Sequence, residues 1–488
     1  MKRKSTRLCV IAFYIYLLVG ILFYFAAGTS LFYTSETTKG VFGYETVGEL
    51  TAESGALYQP FVCHFEAFQS LVVTPKTFGR ENIGTVTAEI LSPSGSVLRT
   101  ALIDVSKLTD QKAYDIVFEP ISDARDQLFV LRLTAPTATT GNAVGFLHGN
   151  RIESGRGSVD ANVSEEMALY HNGSIVTSGS APCALSMDIR GLEYHWFGNY
   201  YWFFFVVIGI LFALYLAWLL RCYRREMRTK ATDLVLSLHR YSFLIRQLVL
   251  RDFKTKYKRS VLGILWSFLN PLLTMSIQYV VFSTLFRSDI ENFIAYLLTG
   301  IICYNFFSEV TSMCLSSIVG NAPLIQKVYV PKYIYPLSRA LSSAVNLLLS
   351  LLPLFLVLLL TGNYPTKAFL LLPFGLLMLF ALGYGVGLLL STMMVFFRDT
   401  QFLWNVATML LMYLTPIFYP ESIIPTQLLF FYKLNPLYHV LRLVRSILID
   451  GTSLEPRAYL YCAILCLLPL LIGMTIFRKK QDQFVLNL

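Results

Sequence analysis

The sequence has little charge. Aspartate, glutamate, lysine and arginine make up 14% of its 488 residues, whereas 55% of the residues are hydrophobic. Because a soluble domain carries about 25% charged residues, this composition excludes an ordinary soluble protein and indicates one that resides in a bilayer. The net charge of +10 does not indicate a nucleic-acid-binding protein. The basic residues cluster beside apolar runs, where topology and anionic lipid account for them.

The sequence also lacks the common signatures of catalysis and metal binding. It has no Gly-x-x-x-x-Gly-Lys-Ser/Thr phosphate loop, which excludes a P-loop nucleotidase on this chain. The six histidines are scattered and the eight cysteines have no metal-ligand spacing, so we expect no metal site. Cys63 and Cys183 lie alone in the large polar region. The sequence leaves open whether they form a disulfide or remain two buried free thiols.

A series of apolar runs is long enough to cross a bilayer. The first run, Leu8–Ala27, follows four basic residues, and a helix of about 20 residues rises about 30 Å. The basic flank places the N-terminus in the cytoplasm. We interpret residues 1–28 as an uncleaved anchor. A cleaved signal peptide is the alternative, but its apolar core is usually about 7–15 residues long.

Residues 29–195 have a different character, because they are polar, rich in turn residues and patterned as β-strands. The segments 71–73, 85–91, 116–118 and 128–133 predict strands, and Ser92–Pro93–Ser94–Gly95 predicts a turn. Several short strands at this spacing predict a β-sandwich. Since the first span begins in the cytoplasm, we expect this domain to lie outside the cell membrane.

The rest of the sequence predicts a helical membrane domain. Residues 196–220 form a second span, and the basic residues after it return the chain to the cytoplasm. Residues 221–259 predict an amphipathic helix that lies in the interface. Residues 260–488 predict six more spans, at approximately 261–286, 293–313, 334–361, 368–396, 401–418 and 456–477. The expected fold is therefore a polytopic α-helical membrane protein with about eight spans and an inserted extracytoplasmic β-sandwich.

Two charged positions need a separate interpretation. Arg442 and Arg445 would lie on the outer side in this topology, against the usual preference of basic residues for the cytoplasm. They belong to the segment Leu437–Ile449, which is too short and too charged to span, and we interpret it as a re-entrant or interfacial helix.

Glu309 lies near the membrane boundary and would be costly in contact with lipid. We expect it to form a cap or a salt bridge near the cytoplasmic face.

Several short motifs occur in a characteristic order in the second half of the chain. They are Arg251–Asp252–Phe253–Lys254, Tyr257–Lys258, Leu262–Gly263, Trp266, Asn270–Pro271–Leu272, Asn305–Phe306–Phe307–Ser308–Glu309, the loop 324–336, Phe397–Arg398–Asp399, Pro416–Ile417–Phe418–Tyr419–Pro420 and Asn435–Pro436–Leu437. In this order, residues 235–488 resemble the permease subunit of type-2 ABC exporters, and specifically those that move O-antigens, teichoic acids and capsular glycans. The anchor, β-domain and second span in front depart from the usual six-span member. The strand pattern of the β-domain is similar to a carbohydrate-binding or discoidin-like jelly roll.

The resemblance implies a function and a set of partners. It implies the channel-forming subunit of an ATP-driven exporter of cell-surface polysaccharide, with or without a lipid carrier, in a bacterial plasma membrane with both termini cytoplasmic. Two copies of this chain would assemble with two ABC ATPase subunits. The ATPase would hold ATP and Mg²⁺, so this chain would carry no cofactor and would not be an enzyme. The coupling helix would comprise Leu324, Ile325, Gln326, Lys327, Val328 and Tyr329. Because loops between spans are usually polar, we expect the apolar side of this segment to dock into a groove on another protein. The interface helix would contribute Arg251, Asp252, Lys254, Tyr257 and Lys258.

Aromatic side chains suggest how a glycan could pass. Sugar rings stack on aromatic rings through their C–H faces, so an aromatic wall can hold a sliding polymer weakly. Tyr279, Phe282 and Phe286 share a face of the first core span, and Phe402 and Tyr413 share a face of the fifth. We expect these five residues to line the channel. The alternative for each is packing or lipid contact.

Two other functions stay open at this point. One is a type-2 ABC permease for a non-glycan cargo, such as a drug or a lipid. The other is a membrane enzyme that acts on lipid-linked glycans. An enzyme would need convergent carboxylates or a histidine near the membrane surface, and the core spans contain almost no such residue apart from Glu309.

Overall fold

The computed structural model describes residues 2–38, 41–154, 158–224, 240–258, 261–263, 265–286, 292–327, 330–421 and 424–487. The chain divides into two compact units. One unit is Phe32–Trp196, and the other comprises Met1–Leu31 and Phe197–Leu488.

The unit Phe32–Trp196 is an antiparallel β-sandwich. Its strands are β1 (Tyr33–Thr38), β2 (Val41–Phe42), β3 (Glu45–Thr46), β4 (Leu57–Cys63), β5 (Ala67–Val73), β6 (Pro75–Lys76), β7 (Thr85–Leu91), β8 (Val97–Asp104), β9 (Tyr114–Ser122), β10 (Gln127–Thr134), β11 (Gly145–Gly149), β12 (Arg151–Ser154), β13 (Ser158–Asn162), β14 (Tyr170–His171), β15 (Ser174–Ile175), β16 (Thr177–Ser178), β17 (Ala181–Pro182), β18 (Ala184–Leu185) and β19 (Met187–Tyr194). A four-stranded sheet in the order β1-β19-β5-β9 and a six-stranded sheet in the order β15-β14-β4-β10-β7-β8 form the two main layers.

The core of the sandwich follows from alternation along the strands. Strand β4 alternates buried and half-buried positions over its whole length, as a strand does when one face covers a core. Phe61, Phe68 and Phe129 meet in that core, with ring centroids 5.0–5.9 Å apart. The four predicted strands lie within β5, β7, β9 and β10, and the predicted turn is present, where the Gly95 N–H donates to the Ser92 carbonyl at 2.9 Å. The predicted β-sandwich is confirmed.

Of the two alternatives left open for Cys63 and Cys183, the structure has the second, because both cysteines are free and fully buried. The Cys63 thiol lies 3.7 Å from the Phe65 carbonyl and the Cys183 thiol lies 3.9 Å from the Ala181 carbonyl. Each thiol therefore lies near a backbone carbonyl two residues away in its own segment. Burial raises the pKa of both thiols, which keeps them protonated and unreactive.

The second unit is a helical membrane domain. Its helices are α1 (Lys2–Ala27), α2 (Trp196–Arg224), α3 (Ser242–Tyr257), α4 (Leu265–Phe286), α5 (Phe293–Leu315), α6 (Ala322–Lys327), α7 (Ile334–Leu360), α8 (Leu372–Phe396), α9 (Thr400–Leu414), α10 (Thr426–Leu434), α11 (Pro436–Arg445), α12 (Pro456–Lys480) and α13 (Phe484–Asn487). Within the described residues, seven helical segments are long and apolar enough to cross a membrane. The predicted polytopic helical fold is confirmed.

One predicted span is shorter than expected. The segment 401–418 forms the 15-residue helix α9, which rises about 22 Å and falls short of the bilayer core of about 30 Å. The helix ends at Leu414 because Pro416 disfavours helical backbone at Thr415, which has extended φ and ψ of −105° and 132°. The segment Leu437–Ile449, predicted as a re-entrant or interfacial helix, is helical in the structure, as α11 and the π-helical turn Ser446–Asp450.

Helix α5 lies at the centre of the bundle. Of its most apolar window, 72% is buried, whereas 6% is buried in α1 and in α2. Small residues on α8 allow the neighbouring helices to pack closely against it. A Cβ atom at Gly383 would lie 2.3 Å from Val310 Cγ1, and one at Gly385 would lie 2.4 Å from the Leu470 backbone nitrogen. Helix α8 therefore packs closely against the Val310 side chain of α5 and against the backbone of α12.

Helices α1 and α2 form a pair that packs against this bundle. The Tyr16 hydroxyl donates to the Phe205 carbonyl at 2.6 Å, and the Tyr201 hydroxyl donates to the Gly20 carbonyl at 2.7 Å. The Phe23 ring meets the Tyr459 ring edge to face at 5.3 Å. The added anchor thus contacts the first turn of α12.

Candidate functional site

The two ends of the helical bundle carry different short helices. We call the end that carries α3 and α6 the α3 end, and the end that carries α10 and α11 the α11 end. Helices α4 and α7 begin at the α3 end, where α5, α8 and α12 finish. The predicted coupling and interface residues that the structure describes belong to the α3 end.

The predicted coupling segment forms the short helix α6. Ile325 is buried and Leu324 is half-buried, and both pack in a cluster with Leu248 of α3, Phe477 of α12 and Phe484 of α13. Gln326 and Lys327 are exposed. Sequence analysis placed the apolar side of this segment against another protein, whereas the structure packs that side on the chain's own core. The face available to a partner is therefore polar. Val328 and Tyr329 lie outside the described residues.

Of the predicted interface helix 221–259, residues 221–224 instead continue α2, residues 225–239 lie outside the described residues, and Ser242–Tyr257 form α3. Arg251, Lys254 and Lys258 are exposed. Asp252 differs from them, because its side chain is only 3% exposed. The Tyr257 side chain lies outside the described part of the structure.

Asp252 ties three elements of the α3 end together. Its Oδ1 accepts a hydrogen bond from Arg251 Nη2 at 3.0 Å, and its Oδ2 lies 3.3 Å from Arg339 Nη1 of α7. Arg251 Nη2 also donates to Asn321 Oδ1, just before α6, at 3.4 Å. Two guanidinium groups compensate the buried carboxylate, which is costly to bury alone. Arg339 and Asn321 were not among the predicted site residues. A lone arginine inside an apolar span was the signal that could have identified the first.

A cavity of about 300 Å³ lies between α3, α4, α5 and α7. Its lining is unusually polar for a membrane domain. The hydrogen-bonding groups in the wall are three amides and three hydroxyls, from Asn270, Asn305, Asn346, Ser267, Ser343 and Ser350. Trp266, Phe306 and two aliphatic residues contribute apolar surface. The volume is at the lower end of the range of about 300–1,000 Å³ for small-molecule sites.

Glu309 forms the predicted salt bridge at this cavity. Its Oε1 accepts from Lys256 Nζ at 2.9 Å and from Asn346 Nδ2 at 2.7 Å. Both charged side chains are partly exposed, so solvent screens the pair and its contribution to stability is small. The salt bridge joins the last turn of α3 to α5.

Pro271 shapes the wall on the α4 side. It lies inside α4 and cannot donate the hydrogen bond that the Ser267 carbonyl, four residues earlier, would otherwise accept. The Ser350 hydroxyl of α7 lies 3.5 Å from that carbonyl and donates to it. The sequence motif Asn270–Pro271 therefore exposes polar groups to the cavity instead of closing the helix.

At the α11 end, the buried Arg445 side chain forms its hydrogen bonds with backbone carbonyls. The residue is 8% exposed. Its guanidinium donates to the Pro416 and Ile417 carbonyls at 2.6 and 3.0 Å, and to the Tyr296 carbonyl at 3.2 Å. It also lies 3.4 Å from the centroid of the Tyr296 ring. Arg445 thus fixes the break after α9, which explains how an arginine is tolerated in this apolar segment.

The predicted channel aromatics fall into two groups. Tyr279 and Phe282 pack within the bundle, and Phe282 stacks on Phe418 with centroids 5.0 Å apart. The Phe286 side chain lies outside the described part of the structure. Phe402 and Tyr413 are exposed on α9. The structure therefore separates the two predicted aromatic faces, of which only the α9 face is available to a ligand, lipid or partner.

No group of three or more metal-ligating side chains occurs in the described residues. The polar features of the bundle are thus the exposed face of α6, the Asp252 cluster, the cavity and the Arg445 contact. None of them brings together a nucleophile and a base.

Comparisons with known proteins point to a single family. Residues 244–449 match the family model described as "ABC-2 type transporter". The chain is 31% identical over 240 residues to an O-antigen export system permease protein RfbA of Klebsiella pneumoniae, covering 48% of this chain and 90% of that protein. It is 29% identical to a protein of the same description from Myxococcus xanthus, covering 51% of this chain and 97% of the relative. It is 28% identical to the polysialic acid transport protein KpsM of Escherichia coli, covering 49% and 93%.

Proposed function

The chain belongs to the ABC-2 type transporter family, and we propose that it is the channel-forming membrane subunit of an ATP-driven exporter of cell-surface polysaccharide. The observation that carries the proposal is the near-complete coverage of relatives described as permeases or transport proteins for O-antigen and polysialic acid. The bundle is the part that corresponds to them, since the family match lies wholly within it.

The motor of this exporter is a separate subunit. The sequence contains no phosphate loop, so ATP and Mg²⁺ bind to an ABC ATPase and not to this chain. Two permease chains and two ATPase chains make the assembly. The α3 end faces the cytoplasm, together with both termini, and the β-sandwich lies outside the plasma membrane, where it meets the emerging glycan.

Helix α6 transmits the motion of the ATPase. Its apolar side is held by the cluster around Ile325, and its polar side presents Gln326 and Lys327. Movement of this side is transmitted to α3 and α7 directly, because Asp252 links both helices next to the start of α6. The exposed basic residues of α3 bind anionic lipid headgroups beside it.

The second permease copy contacts the exposed face of α9. Phe402, Met409 and Tyr413 share this face and are all more than half exposed, which is a large apolar surface for a helix that does not span the bilayer alone. A pair of such faces lines a channel in which sugar rings stack on aromatic rings.

The test is a charge reversal on α6 with a matched control. Lys327→Glu is compared with Lys479→Glu, which changes an exposed lysine at the end of α12. The permease and its ATPase are co-purified and reconstituted, and we measure retained ATPase and ATP-driven movement of polysaccharide into proteoliposomes. We expect Lys327→Glu to lose most transport while Lys479→Glu retains it, because only Lys327 lies on the proposed docking face.

Two results would contradict the proposal. One is a wild-type assembly that hydrolyses ATP but moves no polysaccharide. The other is labelling of Lys327→Cys in whole cells by a thiol reagent that cannot cross the membrane, because the coupling face would then lie outside the cell.

A further inference from the structure

The cavity between α3, α4, α5 and α7 has polar groups that the protein does not use. Asn346 is committed to Glu309, and Ser350 is committed to backbone carbonyls. The side-chain amides of Asn270 and Asn305, in contrast, make no hydrogen bond within the described chain, although both line the cavity. Each amide offers two N–H donors and one carbonyl acceptor. Both residues are exposed, so their amides are available to a polar ligand or to water.

The charge of the wall narrows the class of ligand. Lys256 and Glu309 form a salt bridge in the wall at 2.9 Å. They are the charged residues of the lining, so the cavity has no net charge. A phosphate or diphosphate group would need an excess of donors and positive charge, and Glu309 would repel it. A lipid chain would leave the amides and hydroxyls unpaired, which is costly. The lining therefore favours a neutral ligand that is rich in hydroxyl groups.

An aromatic surface completes the site. Trp266 stands in the first turn of α4, lines the cavity and is 44% exposed. Its indole can stack on the C–H face of a sugar ring while the amides bind the hydroxyls. Small-molecule sites generally combine an aromatic wall with a few polar groups at defined positions.

We propose that this cavity is a binding site for a single neutral sugar unit of the transported glycan, with Trp266 as the stacking surface and Asn270 and Asn305 as hydroxyl ligands. The proposal rests on the proposed function, since it assigns part of the cargo to a place within one subunit. The site lies towards the α3 end, beside the last turn of α3. It holds the glycan weakly before translocation, because a tight site would stop the polymer from moving.

Saturation-transfer NMR tests the site with defined probes. The assembled permease and ATPase are placed in lipid nanodiscs free of glycosidic detergent, and methyl glycosides of glucose, galactose, mannose, rhamnose and N-acetylglucosamine are added in turn. We expect saturation of at least one probe. Asn305→Leu should weaken its binding about fivefold, the effect of one neutral hydrogen bond. Trp266→Leu should weaken it at least as much, and Trp218→Leu, an exposed tryptophan on α2, should leave it unchanged.

Asn305 is exposed and has no partner within the described chain, so its replacement should not disturb folding, which unchanged thermal unfolding confirms. The proposal is overturned if no probe is saturated by the wild-type assembly, or if both variants bind as the wild type does. It is also overturned if Asn270→Cys, at an exposed position of the cavity wall, is not labelled by small thiol reagents in the assembled transporter. ATP-driven transport by the same wild-type assembly is measured separately. Transport without probe binding refutes the cavity site alone, whereas absence of transport refutes the proposed function.

Discussion

Replacing Arg445 tests whether the chain break after α9 depends on one buried cation. In Arg445→Leu, the Ile417 carbonyl loses its 3.0 Å donor and the Pro416 carbonyl keeps only the Tyr296 hydroxyl at 3.4 Å. An unsatisfied buried carbonyl costs about 1–3 kcal/mol, and a desolvated cation–π contact contributes about 2 kcal/mol. Leucine avoids the cost of burying a charge, which offsets part of the loss. We expect a net destabilisation of about 2–4 kcal/mol.

This loss is large enough to measure as a shift in thermal unfolding. At about 2 °C for each kcal/mol in a large domain, the midpoint should fall by about 4–8 °C, recorded by tryptophan fluorescence in nanodiscs at one scan rate. Arg445→Lys should fall by less, because an ammonium group keeps one or two of the carbonyl contacts.

A pair of glycines provides an independent control. A Cβ atom at Gly300 would lie 2.7 Å from Arg445 Nη2, whereas one at Gly320 would meet no atom within 4 Å. Gly300→Ala should therefore destabilise the bundle and Gly320→Ala should not. If Arg445→Leu unfolds within about 1 °C of the wild type, the guanidinium does not hold the segment Thr415–Pro420 and the reasoning is wrong.

Three further predictions follow from other contacts. Asp252→Asn leaves two guanidinium groups without a counter-charge and should lower the stability of the bundle by about 1–3 kcal/mol. This loss is smaller than the loss from breaking a fully buried pair, because both arginines are partly exposed. An unchanged unfolding midpoint would exclude a structural role for the carboxylate. Burial lowers the pKa of His148 below its usual value of about 6.5, so the unfolded state binds a proton more readily and the β-sandwich should lose stability as the pH falls below about 6.5. His148→Leu should remove this part of the acid sensitivity, measured as the unfolding midpoint between pH 7.5 and 5, and an identical pH dependence in both proteins would count against it. Gly383→Ala places a Cβ atom 2.3 Å from Val310 and should destabilise the helix packing, and Val310→Ala should restore it in the double variant, whereas additive losses would show that the two positions do not meet.

Local patterns predicted a large part of this fold. The strands at β5, β7, β9 and β10 and most of the spans follow from the alternation and length of apolar runs, which depend on neighbours along the chain. The short helix α11 also followed, because Leu437–Ile449 is too short and too charged to span. The cysteines Cys63 and Cys183 show the limit of this reasoning, because the sequence left their pairing open and the structure has both as free thiols. The spacing of two cysteines carries no information on where their strands place the thiols.

The candidate site was only partly predictable. The sequence predicted helices at α6 and α3 and a cap or salt bridge at Glu309, and it placed Asp252 on the interface helix without indicating that its carboxylate is buried. It assigned the apolar side of α6 to a partner because an apolar loop between spans lacks a visible companion in the sequence. The companions, Leu248, Phe477 and Phe484, come from distant parts of the chain.

The sequence by itself determined that this chain is a multi-pass membrane protein with a β-sandwich near its start, because bilayer thickness and strand alternation act on consecutive residues. It also determined the family, through the order of short motifs. Only the tertiary structure decided which charges meet, since Asp252 and Arg339, or Arg445 and Pro416, are joined by the packing of helices and not by their spacing. The cavity likewise exists only where four helices converge, and no single segment encodes its amides as a site.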